Sequence, residues 1–147
     1  MSFLLDTSVI SELVKLAPDD NVVEWLKRAD EGSLYLSVLT IGELEKGIAK
    51  LPVSSRRTRL VAWVRTDLAD RFRERLLAIY GTVAAIWGKL AGEAEARGKP
   101  LPVIDGLIAA TGIAHDLIIA TRNIGDFERC GAPCFNPWME SHGKRKL

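Results

Sequence analysis

The stretch Phe3-Leu4-Leu5-Asp6-Thr7-Ser8-Val9-Ile10 constrains the fold of this chain more than any other. Three apolar residues run straight into a carboxylate, and two hydroxyl residues then open an apolar-periodic segment. A short continuous apolar run closed by a turn is the pattern of a strand buried on both faces, the kind that parallel sheets contain. Asp6 then stands at the carboxyl end of a central strand, where open α/β sheets place their ligands. Taken alone, Asp6, Thr7 or Ser8 could equally be the cap of the helix that follows. The arrangement recurs downstream, where Leu34–Val38, Leu76–Tyr80 and Leu117–Thr121 are further apolar runs that end in turns.

The segments between these runs carry helical periodicity. Val9, Ile10, Leu13 and Leu16 mark a short helix stopped by Pro18. A second helix, capped by Asp19 or Asp20, carries Val22, Trp25 and Leu26 and ends near Gly32. Thr40 opens a third with Glu43, Leu44, Gly47 and Ile48, and an arginine-rich helix runs from about Ser54 to Arg73. A long helix through Trp87 and Leu90 breaks at Gly98-Lys99-Pro100, and another runs from about Val103 to His115. Arg122 to Phe127 reads as a loop, and a last short strand is expected near Pro133 to Phe135. Strands alternating with helices imply right-handed crossovers and a mostly parallel central sheet covered on both faces, a three-layer α/β/α fold. The expected organisation is one domain over residues 1–140, followed by a loose, polar and basic tail over residues 141–147.

Composition narrows the classes. The chain has 147 residues, 48% hydrophobic and 27% charged, and this is ordinary globular usage. No apolar run approaches the roughly 20 residues of a membrane span. The first residues enter a strand with no basic leader before it, so a cytoplasmic protein with no membrane partner is expected. Cys130 and Cys134 are the only cysteines. In a reducing compartment they read as small buried thiols, and with His115 and His142 they lack the paired spacing of a zinc module. The formal net charge of +1 is uninformative, but seven arginines crowd between Arg56 and Arg75. They could flank a nucleic-acid path; the favoured reading is a solvated helix face partly balanced by Asp67, Asp70 and Glu74. Trp63, Trp87 and Trp138 read as core or interface anchors. No Ser-His-Asp set and no glycine-rich phosphate loop is present.

The acids carry the chemistry. Asp6 ends the first strand, Glu43 lies in the first turn after the second, Asp105 opens the helix leading into the fourth, and Asp126 follows the fourth. Each has a structural alternative: Thr40-x-x-Glu43 is a capping box, Asn123-x-x-Asp126 resembles one, and Asp105 suits the first turn of a helix. Together they can converge on one crevice. Converging carboxylates repel one another unless something positive binds there. Oxygen donors select a hard cation, Mg2+ or Mn2+.

These residues resemble a known family, the PIN-domain proteins, and among them the VapC/FitB-type toxins of bacterial toxin–antitoxin pairs. The matching pieces are Leu4-Leu5-Asp6-Thr7-Ser8-Val9-Ile10-Ser11-Glu12, Ser37-x-x-Thr40-x-x-Glu43-Leu44-x-x-Gly47, Asp105-x-x-Ile108-Ala109-Ala110-Thr111 and Ala120-Thr121-Arg122-Asn123-x-x-Asp126-Phe127. Phe135-Asn136-Pro137-Trp138 resembles the FitB branch. The resemblance implies a PIN-like fold and a Mg2+- or Mn2+-dependent ribonuclease that hydrolyses RNA phosphodiester bonds. It implies Asp6, Glu43 and Asp105 as the core metal-binding and catalytic acids, with Asp126 as the fourth. Thr7, Ser8, Thr121, Arg122 and Asn123 stand as supporting residues, Asn123 being where some relatives carry an acid. It further implies a cytoplasmic homodimer that binds a small antitoxin and meets DNA only through it. An arginine of that antitoxin would stand in for the metal.

Two other readings compete. Phosphoryl-transfer enzymes and receiver domains also place an aspartate after the first parallel strand. The phosphatases favour a second acid two residues on, where this chain has Ser8, and receivers need an acidic pair that this N-terminus is too short to supply. The other reading is a FitB-like partner subunit of a DNA-binding regulatory complex, with little or no nuclease activity of its own.

Overall fold

Both faces of the first strand are covered, as its unbroken apolar run requires. The computed structural model describes residues 1–139. The expected tail over 141–147, and the domain end at residue 140, lie outside the described residues. Strand β1 (Phe3–Leu5) is the middle of a five-stranded sheet with β2 (Leu34–Ser37), β3 (Leu76–Leu77), β4 (Ile118–Ala120) and β5 (Cys134–Phe135), ordered β3-β2-β1-β4-β5. Every pairing is parallel, with Leu4 opposite Tyr35 on one side and Ile119 on the other. Leu4 and Leu5 point to opposite faces and are 0% and 1% exposed, each in a different apolar cluster. The three-layer expectation holds.

From β1 the chain steps outward to β2 and β3, then returns to add β4 and β5 on the other side. The direction of winding therefore switches between β1 and β4, and a crevice opens at their carboxyl ends. Helices α1 (Thr7–Glu12), α2 (Asp20–Arg28), α3 (Val38–Ala49), α4 (Ser55–Ala62), α5 (Ala69–Arg71), α6 (Gly81–Ala96), α7 (Val103–His115) and α8 (Ile124–Arg129) fill the connections. A wider π-type turn, Trp63–Leu68, joins α4 to α5 without a break, so the arginine-rich helix runs nearly as expected.

Four local expectations are corrected. The first helix stops at Glu12, and Leu16 is left 97% exposed. The cause is the Glu12 carboxylate, only 4% exposed, which accepts from the Asp19 N–H at 2.8 Å and from Lys15 at 2.9 Å, folding the chain back. Helix α3 begins at Val38, because the Ser37 hydroxyl accepts from the Leu39 N–H at 3.0 Å and so caps it before Thr40. Strand β3 keeps only Leu76–Leu77. It is an edge strand, and Leu76 and Tyr80 remain 39% and 47% exposed, so little apolar burial holds Ala78 to Tyr80 in the sheet. The expected loop after β4 contains a helix, α8, whose first turn is braced by Asn123, Asp126 and Arg129.

The arginine cluster is mostly internal bracing. Arg65 pairs with Glu45, Arg71 and Arg75 with Glu31, and Arg73 with Asp70. Arg75 also donates to the carbonyls of Glu31, Leu34 and Arg71, each at 2.6 Å, tying β2 to the end of α5. Arg71 and Arg75 cover the buried Phe72 ring at 5.3 and 5.0 Å.

Glu12→Ala leaves the half-buried Asp19 N–H without its acceptor. The variant is expected to lose about 1–3 kcal/mol in chemical denaturation, with the midpoint shifted and the slope unchanged.

Candidate functional site

Asp6 is held by the two strands that flank the crevice. Its N–H donates to the Ala120 carbonyl at 2.9 Å, which locks the end of β1 against β4. Its carboxylate is 7% exposed and takes two hydroxyl bonds on one oxygen, Oδ2: from Ser8 at 2.9 Å and from Thr121 at 2.8 Å. Oδ1 has no hydrogen-bond partner among the described residues. Thr121 is fully buried, and its hydroxyl also accepts the Asn123 N–H at 2.9 Å. Asp6 precedes α1 but makes no side-chain cap bond to it.

Glu43 comes from the first turns of α3. Thr7 Oγ1 sits between Glu43 Oε1 and the buried Thr40 Oγ1, the latter at 3.2 Å. The capping-box alternative therefore fails: Thr40 lies inside the helix, and its hydroxyl is part of a chain that leads from α3 to α1. Glu43 Oε2 has no hydrogen-bond partner among the described residues.

Asp105 arrives on α7, which can approach because Gly106 follows it. A Cβ at Gly106 would lie 3.1 Å from the Trp87 ring of α6. Burial, then the charges of Asp6, Asp126 and Glu43 in that order, push the Asp105 carboxyl up to about 6. All four expected acids thus share one electrostatic neighbourhood, and each of the other three resists ionisation of Asp105.

Asp126 is the odd member. Its Oδ2 accepts from Asn123 Nδ2 and its Oδ1 from the Arg129 guanidinium, both at 2.8 Å. These two bonds hold its carboxyl below the usual range. Asn123 works here by bracing Asp126. Arg122 packs its guanidinium 4.5 Å over the Trp138 ring. Its N–H lies 3.5 Å from Ser8 Oγ, so the loop after β4 is tied across the crevice mouth. Sequence reasoning missed Arg129 as part of this surround and took Thr40 for a helix cap. The i,i+3 spacing of Asp126 and Arg129 would have exposed the first, had α8 been read as a helix.

Among the described residues, no three His, Cys, Asp or Glu side chains already close around a common point. The donor set nonetheless suits a hard divalent cation. It consists of carboxylate oxygens, with unpartnered oxygens on Asp6 and Glu43, and Asp105 is a carboxyl whose ionisation is opposed by three neighbours. A cation between them would turn that repulsion into attraction.

The PIN-domain profile matches residues 3–132, and the chain belongs to that family. Its relatives include the VapC ribonuclease Y4jK of Sinorhizobium fredii, 36% identical over 92% of this chain and 96% of the relative. Toxin FitB of Neisseria gonorrhoeae is 37% identical over 93% of this chain and 99% of its own. The crystal structure of FitAcB from Neisseria gonorrhoeae superposes with a TM-score of 0.88 at 36% identity, covering 94% of this chain and 99% of that one.

The raised Asp105 carboxyl has a pH signature. The folded protein binds a proton there more tightly than the unfolded chain, so between about pH 4 and about pH 6 stability falls as pH rises. In EDTA, Asp105→Asn is expected to melt above the wild type at pH 7.5, with the difference closing below pH 4. Adding Mg2+ or Mn2+ at pH 7.5 should raise the wild-type melting temperature and leave the variant nearly unmoved.

Proposed function

We propose that this chain is the toxin component of a type II toxin–antitoxin pair, a Mg2+- or Mn2+-dependent ribonuclease that hydrolyses RNA phosphodiester bonds at Asp6, Glu43, Asp105 and Asp126. The observation that carries the reading is the grouping of Asp105 with three other carboxylates at the switch point of a parallel sheet, where burial first, and then the charges of Asp6, Asp126 and Glu43, raise its carboxyl. Its family membership and its likeness along nearly the whole chain to a VapC ribonuclease support it.

When bound, a divalent ion supplies a deprotonated water and a positive clamp on the non-bridging phosphate oxygens. The chain's own residues do the rest. Asp6 Oδ1, Glu43 Oε2 and Asp105 present oxygens toward the crevice to hold the ion. Ser8 and Thr121 bond Oδ2 of Asp6 and thereby fix the direction in which Oδ1 points. Thr7 does the same for Glu43. Asp126, bonded once on each oxygen, adds negative field and would reach the ion through a lone pair left on those oxygens. Arg122, whose guanidinium lies over the Trp138 ring, would meet a phosphate oxygen.

The reading includes a homodimer and a small antitoxin. An apolar cavity of about 160 Å3 lies against the crevice, lined by Leu44, Ile48, Leu51, Leu60, Trp63 and Val64, with Thr7 and Glu43 at its acidic end. Such a groove suits an amphipathic antitoxin helix with apolar anchors at helical spacing. An antitoxin arginine entering from there would pair with the free carboxylate oxygens in the ion's place. DNA is reached through the antitoxin.

The equal likeness to FitB supports a second reading, a partner subunit of a DNA-binding complex with little nuclease activity of its own. RNA cleavage by the purified chain separates the two. Cleavage that needs Mg2+ or Mn2+ and stops in EDTA is expected, and its absence with either ion would overturn the nuclease reading. Asp6→Asn should lower the rate by more than the ~10–100-fold typical of losing an outer partner, and Thr121→Val by about that amount. Both variants should remain folded in thermal melts. Light scattering is expected to show a dimer.

A further inference from the structure

Beside the acidic crevice lies a cleft of about 420 Å3 lined by Arg97, Lys99 and Arg129. The first two are set by the end of α6. Gly98 takes φ 74°, the left-handed conformation that closes a helix and that glycine adopts without strain. The N–H groups of Gly98 and Lys99 return to the carbonyls of Glu95 and Ala94, each at 2.9 Å. Arg97 and Lys99 flank this turn, both exposed, and neither makes an ion pair among the described residues.

Arg129 joins the cleft to the crevice, because the guanidinium that lines the one holds Asp126 of the other at 2.8 Å. The Cys130 thiol marks the same boundary. Burial pushes it up, Arg129 and Arg97 pull it down, and Asp126 and Asp105 push it up from the other side. In the arginine cluster at residues 56–75, Arg65, Arg71, Arg73 and Arg75 are held in internal pairs, whereas Arg56, Arg57 and Arg59 of α4 make no ion pair among the described residues and stand away from this cleft's lining.

We propose that the Arg97–Lys99–Arg129 cleft holds the phosphate backbone of the RNA strand beside the phosphodiester that lies at the acidic crevice. The inference rests on the nuclease reading above. Four carboxylates repel an incoming polyanion, so a strand can lie there only if cations close by hold its neighbouring phosphates. The cleft is lined by three cationic side chains and by no apolar residue. A helical protein segment needs apolar anchors, whereas a single strand needs a positive groove that tracks its backbone.

The test is binding of a labelled single-stranded RNA to the full chain in EDTA, where no metal-dependent cleavage occurs, across a salt series. Arg97→Ala/Lys99→Ala is compared with a matched control, Arg56→Ala/Arg57→Ala, which removes the same charge from α4. The cleft variant is expected to bind about tenfold more weakly. The slope of log affinity against log salt should fall by about 0.7 for each lost phosphate contact. In the presence of Mg2+ the loss in kcat/KM should reside in KM. Equal affinity and slope for wild type and cleft variant would overturn the inference, as would an equal loss in the control. So would unchanged RNA binding together with weakened antitoxin binding, which would assign the cleft to the protein partner. If the slope changes as expected but no metal-dependent cleavage is seen, the cleft stands and the nuclease reading falls. If cleavage occurs and the cleft variant matches wild type, the nuclease reading stands and the cleft falls.

Discussion

The site depends on keeping Asp6 almost dry and still pointing at its neighbours. A carboxylate 7% exposed at the end of a central strand needs partners for its charge, and here hydroxyls supply them on one oxygen only. Ser8 and Thr121 come from the chain ends of α1 and β4, so the bonds that satisfy Asp6 also stitch together the two sides of the switch point. The backbone bond from Asp6 to Ala120 adds a second stitch at the same place. The other oxygen is left for the crevice. A neutral donor set fixes direction without cancelling charge, which a lysine or arginine in the same position would do.

The same division of labour runs through the rest of the crevice. Thr7 holds Glu43 and is itself backed by the buried Thr40. Gly106 lets α7 come close enough to α6 for Asp105 to reach the site, since any side chain there would press on Trp87. Asp126 alone is bonded by a cation, and it is the acid at the rim, where Arg129 opens into the basic cleft. Negative charge is therefore uncompensated at the centre and balanced at the edge. On the proposed reading, the cation would lie at that uncompensated centre and the polyanion against the basic edge.

The positive charge of the chain is divided between two tasks. In the helix spanning residues 55–71 and the turn after it, arginines stabilise the packing of α5 on β2 through Glu31 and three backbone carbonyls. At the end of α6 the cations are left exposed and unpaired among the described residues. Density of arginine in the sequence is thus a poor guide to where positive charge stays free, because bidentate pairing with a nearby carboxylate neutralises it.

The sequence by itself determined the parallel three-layer fold and the general position of the acids. Runs such as Phe3–Leu5 and Leu117–Thr121 are apolar on both faces, and only a covered parallel sheet buries both. A carboxylate that ends such a run has one place to go. What the linear pattern could not supply was partnership. Whether Thr40 caps a helix or backs Thr7 depends on Ser37 capping first, and Glu12 ends α1 by bonding Asp19 seven residues on. Asn123 and Arg129 become braces of Asp126 only once the segment after β4 turns helical. Arg129 lies far along the chain from Arg97 and Lys99, and the three line one cleft only in the folded structure. Apolar periodicity reports burial, which is a one-residue property, whereas hydrogen bonds and charge pairs depend on distances that the tertiary packing alone decides.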